Sequence, residues 1–166
     1  MRTRLISFGI LAALVIAAGF GVNQIKTNPK ATVSAEIVQY ATTSIRIGNQ
    51  TFKVELALTL EQRALGLAER DSLADNAGML FVFKPTKPMT FWMKDMRFGL
   101  DIIWITDGKI VDISRHLPVP KPGTKTEDLP TYSSGTAVDY VLEINAGQAD
   151  KMKVGDRVEI VNSSHV

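Results

Sequence analysis

The stretch "TFWMKDMRFGLDIIWITDGKIVDIS", Thr90 to Ser114, decides how the chain is read. Its second half has the form of a β-hairpin. Leu100 to Ile105 form an apolar run, Asp107-Gly108 supplies a turn, and Ile110 to Ile113 return. Charges stand close to or inside that apolar text: Lys94 follows Phe91-Trp92-Met93, and Asp101 separates Leu100 from Ile102. A charge placed in a core is expensive unless it is paired, hydrogen-bonded or wetted. The same stretch therefore predicts strands and marks a candidate site.

Working outward, the neighbouring segments extend the β reading. "SIRIGNQTFKVELAL", from Ser44, alternates apolar and polar residues on both sides of Gly48-Asn49, which is a second hairpin signal. Thr59 and Gln62 fit a capping box that opens a short helix, with Leu60, Ala64, Leu65 and Leu67 on its apolar face. "GMLFVF", Gly78 to Phe83, is a continuous apolar run of strand length, as in a strand covered on both faces. Pro85 and Pro88 then interrupt pairing, and Phe91 to Met93 resume it. His116 to Gly135, with four prolines, reads as a long loop; a loop of that length is usually functional or mobile. Ala137 to Gly147 and Gly155 to Val161 supply further strands. The pattern predicts a mainly β domain over residues 43–162: about seven short strands in a β-sandwich or small barrel, with one short helix. Strand–helix alternation is missing, and no G-x-G-x-x-G or G-K-[ST] occurs, so a nucleotide-phosphate cradle has no support.

The N-terminus differs in character. Arg2 and Arg4 precede an uncharged run, Leu5 to Val22, in which only Ser7 is polar. A basic start followed by an apolar run predicts an export signal over residues 1–22, or a retained membrane-anchor helix of nearly spanning length. Residues 23–42 are polar and mixed and read as a linker. Either form puts the domain outside the cytoplasm, in the periplasm or an equivalent extracytoplasmic space. Arg2 and Arg4 are two of the 19 basic residues, so the remainder balances at 17 basic against 17 acidic side chains. That balance does not suggest a nucleic-acid partner. The chain has no Cys, which excludes disulfides, thiolate metal sites and a Cys nucleophile. With two His in total, a histidine-rich metal centre is not expected, and no cofactor is indicated.

The segments "GLAERDSLADNAGMLFVF", "FWMKDMRFGLDIIWI", "DGKIVDI", "YVLEINAG" and "VGDRVEI" occur in that order. Together they resemble the bacterial and archaeal family called domain of unknown function 192. The likeness covers about residues 52 to 160. Ala68 departs from it, since members commonly carry Met there. The resemblance implies a small, mainly β fold, often exported, and implies no particular biochemical activity.

The residues must then supply the site. In a strand with alternating faces, Asp101 shares a face with Ile103 and Ile105. Its carboxylate needs a cation, backbone N–H groups or water, and Arg70 and Lys94 are the candidate cations. Asp101 either ties a loop to a strand end or lies at a cleft mouth with Trp92, Met93 and Lys94. Trp92 and Met93 also suit an ordinary core. In "YVLEI", Glu143 lies on the face opposite Tyr140, Leu142 and Ile144, which fits a solvated edge or a carboxyl paired with Asp101 across a cleft. The expected site is Arg70, Trp92, Met93, Lys94, Asp101 and Glu143. The expected role is an exported module that binds a small molecule, glycan or peptide in the cell envelope. The alternatives are a hydrolase using Asp101 and Glu143, and a structural envelope protein.

Overall fold

A computed structural model describes residues 38–161, so the proposed export or anchor segment lies outside the described residues. Among the described residues no helix is long and apolar enough to cross a membrane. The domain is mainly β. Seven strands, β1 (Ala41–Ile47), β2 (Gln50–Ala57), β3 (Ala77–Trp92), β4 (Leu100–Thr106), β5 (Lys109–Leu117), β6 (Thr131–Asn145) and β7 (Val158–Val161), accompany one short helix, α1 (Leu60–Leu65). They form one sheet in the order β5-β4-β6-β3-β2-β1-β7.

Local chemistry explains most of the elements. Gly48, at φ +56°, makes the tight turn that pairs β1 with β2, from Ile47↔Gln50 out to Ala41↔Leu56. Thr59 caps α1: its hydroxyl accepts from the Gln62 N–H, and the Gln62 side chain accepts from the Thr59 N–H. Asp107 and Gly108, both at positive φ, turn β4 into β5. β2 and β3 are parallel, with Lys53 opposite Ala77 and Ala57 opposite Phe81. Parallel neighbours need a crossover rather than a hairpin, and the crossover carries α1.

Two segments differ from the sequence expectation. The strand at Gly78–Phe83 and the one at Phe91–Met93 are parts of a single strand, β3, of 16 residues. Pro85 and Pro88 donate no N–H, and β3 passes them by register shifts between Val82 and Lys87 and between Pro88 and Thr90. β6 begins at Thr131, so "TYSSG" belongs to a strand and not to the long loop. Thr90, Phe91 and Trp92 pair with Ser133, Tyr132 and Thr131 and supply the ladder that local sequence did not reveal.

The sheet curls until its edges meet. Lys109 bridges Arg157. The Ile110 N–H donates to Asp156 O (3.0 Å), the Gly155 N–H to Ile110 O (2.8 Å), and the Val158 N–H to Gly108 O (2.9 Å). All seven strands contribute to one apolar cluster, among them Ile45, Phe52, Leu80, Ile103, Ile110, Leu142 and Val158. A cluster fed by every strand is the inside of the curl. Alternate residues of the central strands, Met79, Phe81, Ile102, Trp104 and Val141, point to the other face. There they join Leu67, Met93, Met96 and Leu117 in a second cluster.

Candidate functional site

The buried carboxyls divide the two faces between them. β6 sets Glu143 opposite Met79 of β3 and Ile102 of β4, on the outer apolar face. Asp101 is opposite Ile144 and belongs to the inner face with Ile103 and Ile105. The two carboxyls therefore share no cleft, and the Asp101–Glu143 acid–base pair has no geometric basis.

Asp101 is fully buried and accepts from the backbone N–H of His116 (2.7 Å) and of Ala149 (2.8 Å). It fastens the end of β5 and the turn after β6 to the start of β4. Of the two readings from sequence, the tie between a loop and a strand end is the one that holds, and the cleft mouth is not. Two backbone donors satisfy it, so neither Arg70 nor Lys94 is needed. Arg70 instead forks onto Glu55 (2.9 and 2.7 Å) and lies 5.6 Å over the Tyr40 ring. Its hydrogen bonds hold the Glu55 carboxyl below its usual range.

Glu143 has the opposite surroundings. It is 5% exposed, yet among the described residues nothing donates a hydrogen bond to its carboxyl. Desolvation pushes that carboxyl up to about 8. The side chain borders a cavity of about 700 Å³ that opens to solvent. Leu67, Phe81, Phe83 and Phe91 wall it, and Arg63, Lys84, Lys87 and Lys94 bring positive charge to it. Its volume lies in the range of small-molecule sites, and apolar walls with few polar groups are their usual chemistry.

The sequence builds this cavity locally. Gly66, at φ +54°, stops α1 and brings the backbone against Phe81, where an added Cβ would lie 3.4 Å from the ring. Leu67 then enters the outer cluster. The Glu69 N–H donates to Asp95 O (3.0 Å), joining the turn after α1 to the turn after β3. Arg63 donates to Leu58 O (2.6 Å) and Val82 O (3.2 Å) and lies 5.6 Å over Phe83, which fixes α1 to β3. Phe91 meets Phe81, Phe83 and Trp104 edge-on, with ring centroids 4.9, 6.3 and 5.5 Å apart. Such contacts keep an aromatic wall rigid.

Of the six expected site residues, Trp92, Lys94 and Glu143 line the cavity, and Arg70, Met93 and Asp101 do not. Trp92 is half exposed, Met93 is buried in the outer cluster, and Lys94 pairs with Asp95. Sequence reasoning missed Arg63 and the wall formed by Phe81, Phe83 and Phe91. The continuous run "GMLFVF" signalled a strand covered on both faces. It did not signal that one cover is incomplete.

The family model for DUF192, described as "Uncharacterized ACR", matches residues 42–160. No curated protein matches the chain. Similar solved structures include the following two. One, from Sinorhizobium meliloti 1021, is described as a candidate transcription regulator; it is 34% identical, covers 74% of this chain and 96% of its own, and has a TM-score of 0.66. The other, of unknown function, comes from Novosphingobium aromaticivorans DSM 12444; it is 29% identical, covers 78% of this chain and 99% of its own, and has a TM-score of 0.64.

Proposed function

As the chain belongs to the DUF192 family, we propose that its domain is an exported binding module that takes a small molecule into the cavity beside Glu143. The observation that carries this reading is the cavity of about 700 Å³ beside a buried carboxyl with no hydrogen-bond donor among the described residues. For stability alone an apolar side chain would serve better here, because a largely desolvated carboxyl without a protein partner costs free energy. Phe81, Phe83, Phe91 and Leu67 supply the apolar grip, and Trp92 and Lys94 also line the space. Glycans and long peptides fit less well than a compact ligand, since the walls are mainly apolar.

Export rests on Arg2 and Arg4 before the uncharged run Leu5–Val22. A reporter phosphatase that is active only outside the cytoplasm, fused after Gln39, is expected to be active; an inactive fusion made at normal level would remove the envelope from this reading.

Binding is tested by a thermal-shift screen of the full chain against small-molecule classes, beside the variant Ala64→Trp. Ala64 is exposed on α1 and lines the cavity, so a Trp there fills space without touching the core. A ligand at 100 times its Kd adds about 2.7 kcal/mol of apparent stability. Compounds that raise the melting temperature of the wild type are expected to lose that effect in Ala64→Trp. A shift of equal size in both proteins would move the binding site elsewhere.

A further inference from the structure

We propose that the cavity recognises an organic ammonium group: a primary amine on a compact apolar body, with its cation against the Glu143 carboxyl. The inference rests on the binding reading above and names the ligand chemistry. Two features of the site point to it. Glu143 is 95% buried, borders the cavity and receives no hydrogen bond among the described residues, so the protein leaves its carboxyl without a partner. A ligand that brings its own positive donors completes what the protein leaves open. The walls are aromatic, with Phe81, Phe83, Phe91 and Trp92 all lining the space. Ring faces attract cations, and a carboxylate among aromatic rings is a physical basis for selecting ammonium over a neutral group of equal shape.

The cations around the cavity do not oppose this assignment. Arg63 donates to two carbonyls and lies over Phe83, and Lys94 is engaged by Asp95. Lys84 and Lys87 are exposed, where water and salt weaken their field. Glu143 lies in the desolvated part of the site, where attraction between charges is strongest. The outer cations suit an anionic or polar far end on the ligand.

Ammonium binding requires Glu143 in its ionised form. Desolvation pushes that carboxyl up to about 8, which favours its protonated form at neutral pH. Binding at pH 7 must therefore release a proton to solvent, and affinity must rise with pH up to about 8. The other charged groups lining the cavity are Arg63 on α1, Glu69 after it, Lys84 and Lys87 on β3, and Lys94 and Asp95 in the following turn.

The test uses the full chain and a matched pair of probes, phenethylamine and 2-phenylethanol, titrated calorimetrically at pH 7 in two buffers of different ionisation heat. In a companion titration at pH 9, where Glu143 is ionised, wild type is expected to bind the amine at least about tenfold more tightly than the alcohol, the factor for one charge-assisted hydrogen bond, with a smaller margin at pH 7. It is also expected to release a proton on binding the amine. Glu143→Gln keeps the shape, and is expected to lose both the preference and the proton release while its melting temperature does not fall. Equal affinity for the two probes, or a preference that persists in Glu143→Gln, would overturn the ammonium assignment and leave the binding module standing. Failure of both probes to bind also overturns the assignment, and the wider screen with Ala64→Trp then decides the binding module separately.

Discussion

Glu143 and Asp101 are buried carboxyl residues on neighbouring strands, and they answer amide substitution in opposite ways. Both oxygens of Asp101 are used, one by the His116 N–H and one by the Ala149 N–H. Asn at position 101 turns one acceptor into a donor that faces an N–H. Urea unfolding is expected to show a loss of about 2–3 kcal/mol, with ligand binding unchanged. Glu143 has no such partners to lose. Its value in the folded protein, about 8, lies above the ordinary 4.5. Between those values the unfolded chain releases the proton and the folded chain keeps it, so stability falls as pH rises through the window. Below about 4.5 no loss is present, and above about 8 it is complete. Its ceiling is about 5 kcal/mol at 1.36 kcal/mol per pH unit. Subtracting a Glu143→Gln unfolding series from the wild-type series is expected to isolate this slope; parallel series would show that the carboxyl is not desolvated. Only part of this was legible in "YVLEI" and "GLDII": each acid interrupts apolar text, but the reading of Glu143 as a solvated edge or as the partner of Asp101 is corrected by its burial on the outer apolar face. What each acid meets depends on residues far along the chain, as with Ala149, 48 positions from Asp101. Periodicity does not carry that information.

At the scale of elements, the contact between β3 and β6 is the one that supports the cavity. Gly78 of β3 lies so close to β6 that an added Cβ would stand 2.7 Å from the Glu143 carbonyl oxygen and 3.0 Å from Ile144 Cγ2. A backbone oxygen cannot move aside as a flexible side chain can. Gly78→Ala is therefore expected to cost about 2 kcal/mol or more, as overpacking does, and to shift the Glu143 backbone. Denaturant unfolding together with amide chemical shifts around residue 143 checks both. The β1–β2 hairpin, the α1 capping box and the Asp107-Gly108 turn were readable because each is written in adjacent residues. The lengths of β3 and β6 were not. Proline and glycine signal interruption locally, and Pro85, Pro88 and Gly135 all sit inside strands that a partner carries across the irregularity.

For the whole domain, the decisive feature is the seam where Gly108 and Ile110 meet Gly155, Asp156 and Val158. It turns an open sheet into a curl and encloses the inner cluster. If the seam is part of the cooperative unit, the Ile110, Gly155 and Val158 amides are expected to exchange with deuterium as slowly as those of β4. Exchange at the rate of surface turns would make the seam a loose contact. A closed arrangement was anticipated only as one of two β architectures, because strand count and turn spacing do not encode which edges meet. The pairing of β1 has a further consequence for the order of assembly. One of its edges takes β2 at once, but the other waits for β7, with Arg46 facing Glu159 at 113 residues' separation. Contacts so distant in sequence form slowly. While the ribosome makes the intervening five strands, the first strand keeps a bare edge and the inner cluster cannot shut. For the export proposed above, such lateness would be an advantage, since the fold cannot lock before its seventh strand exists.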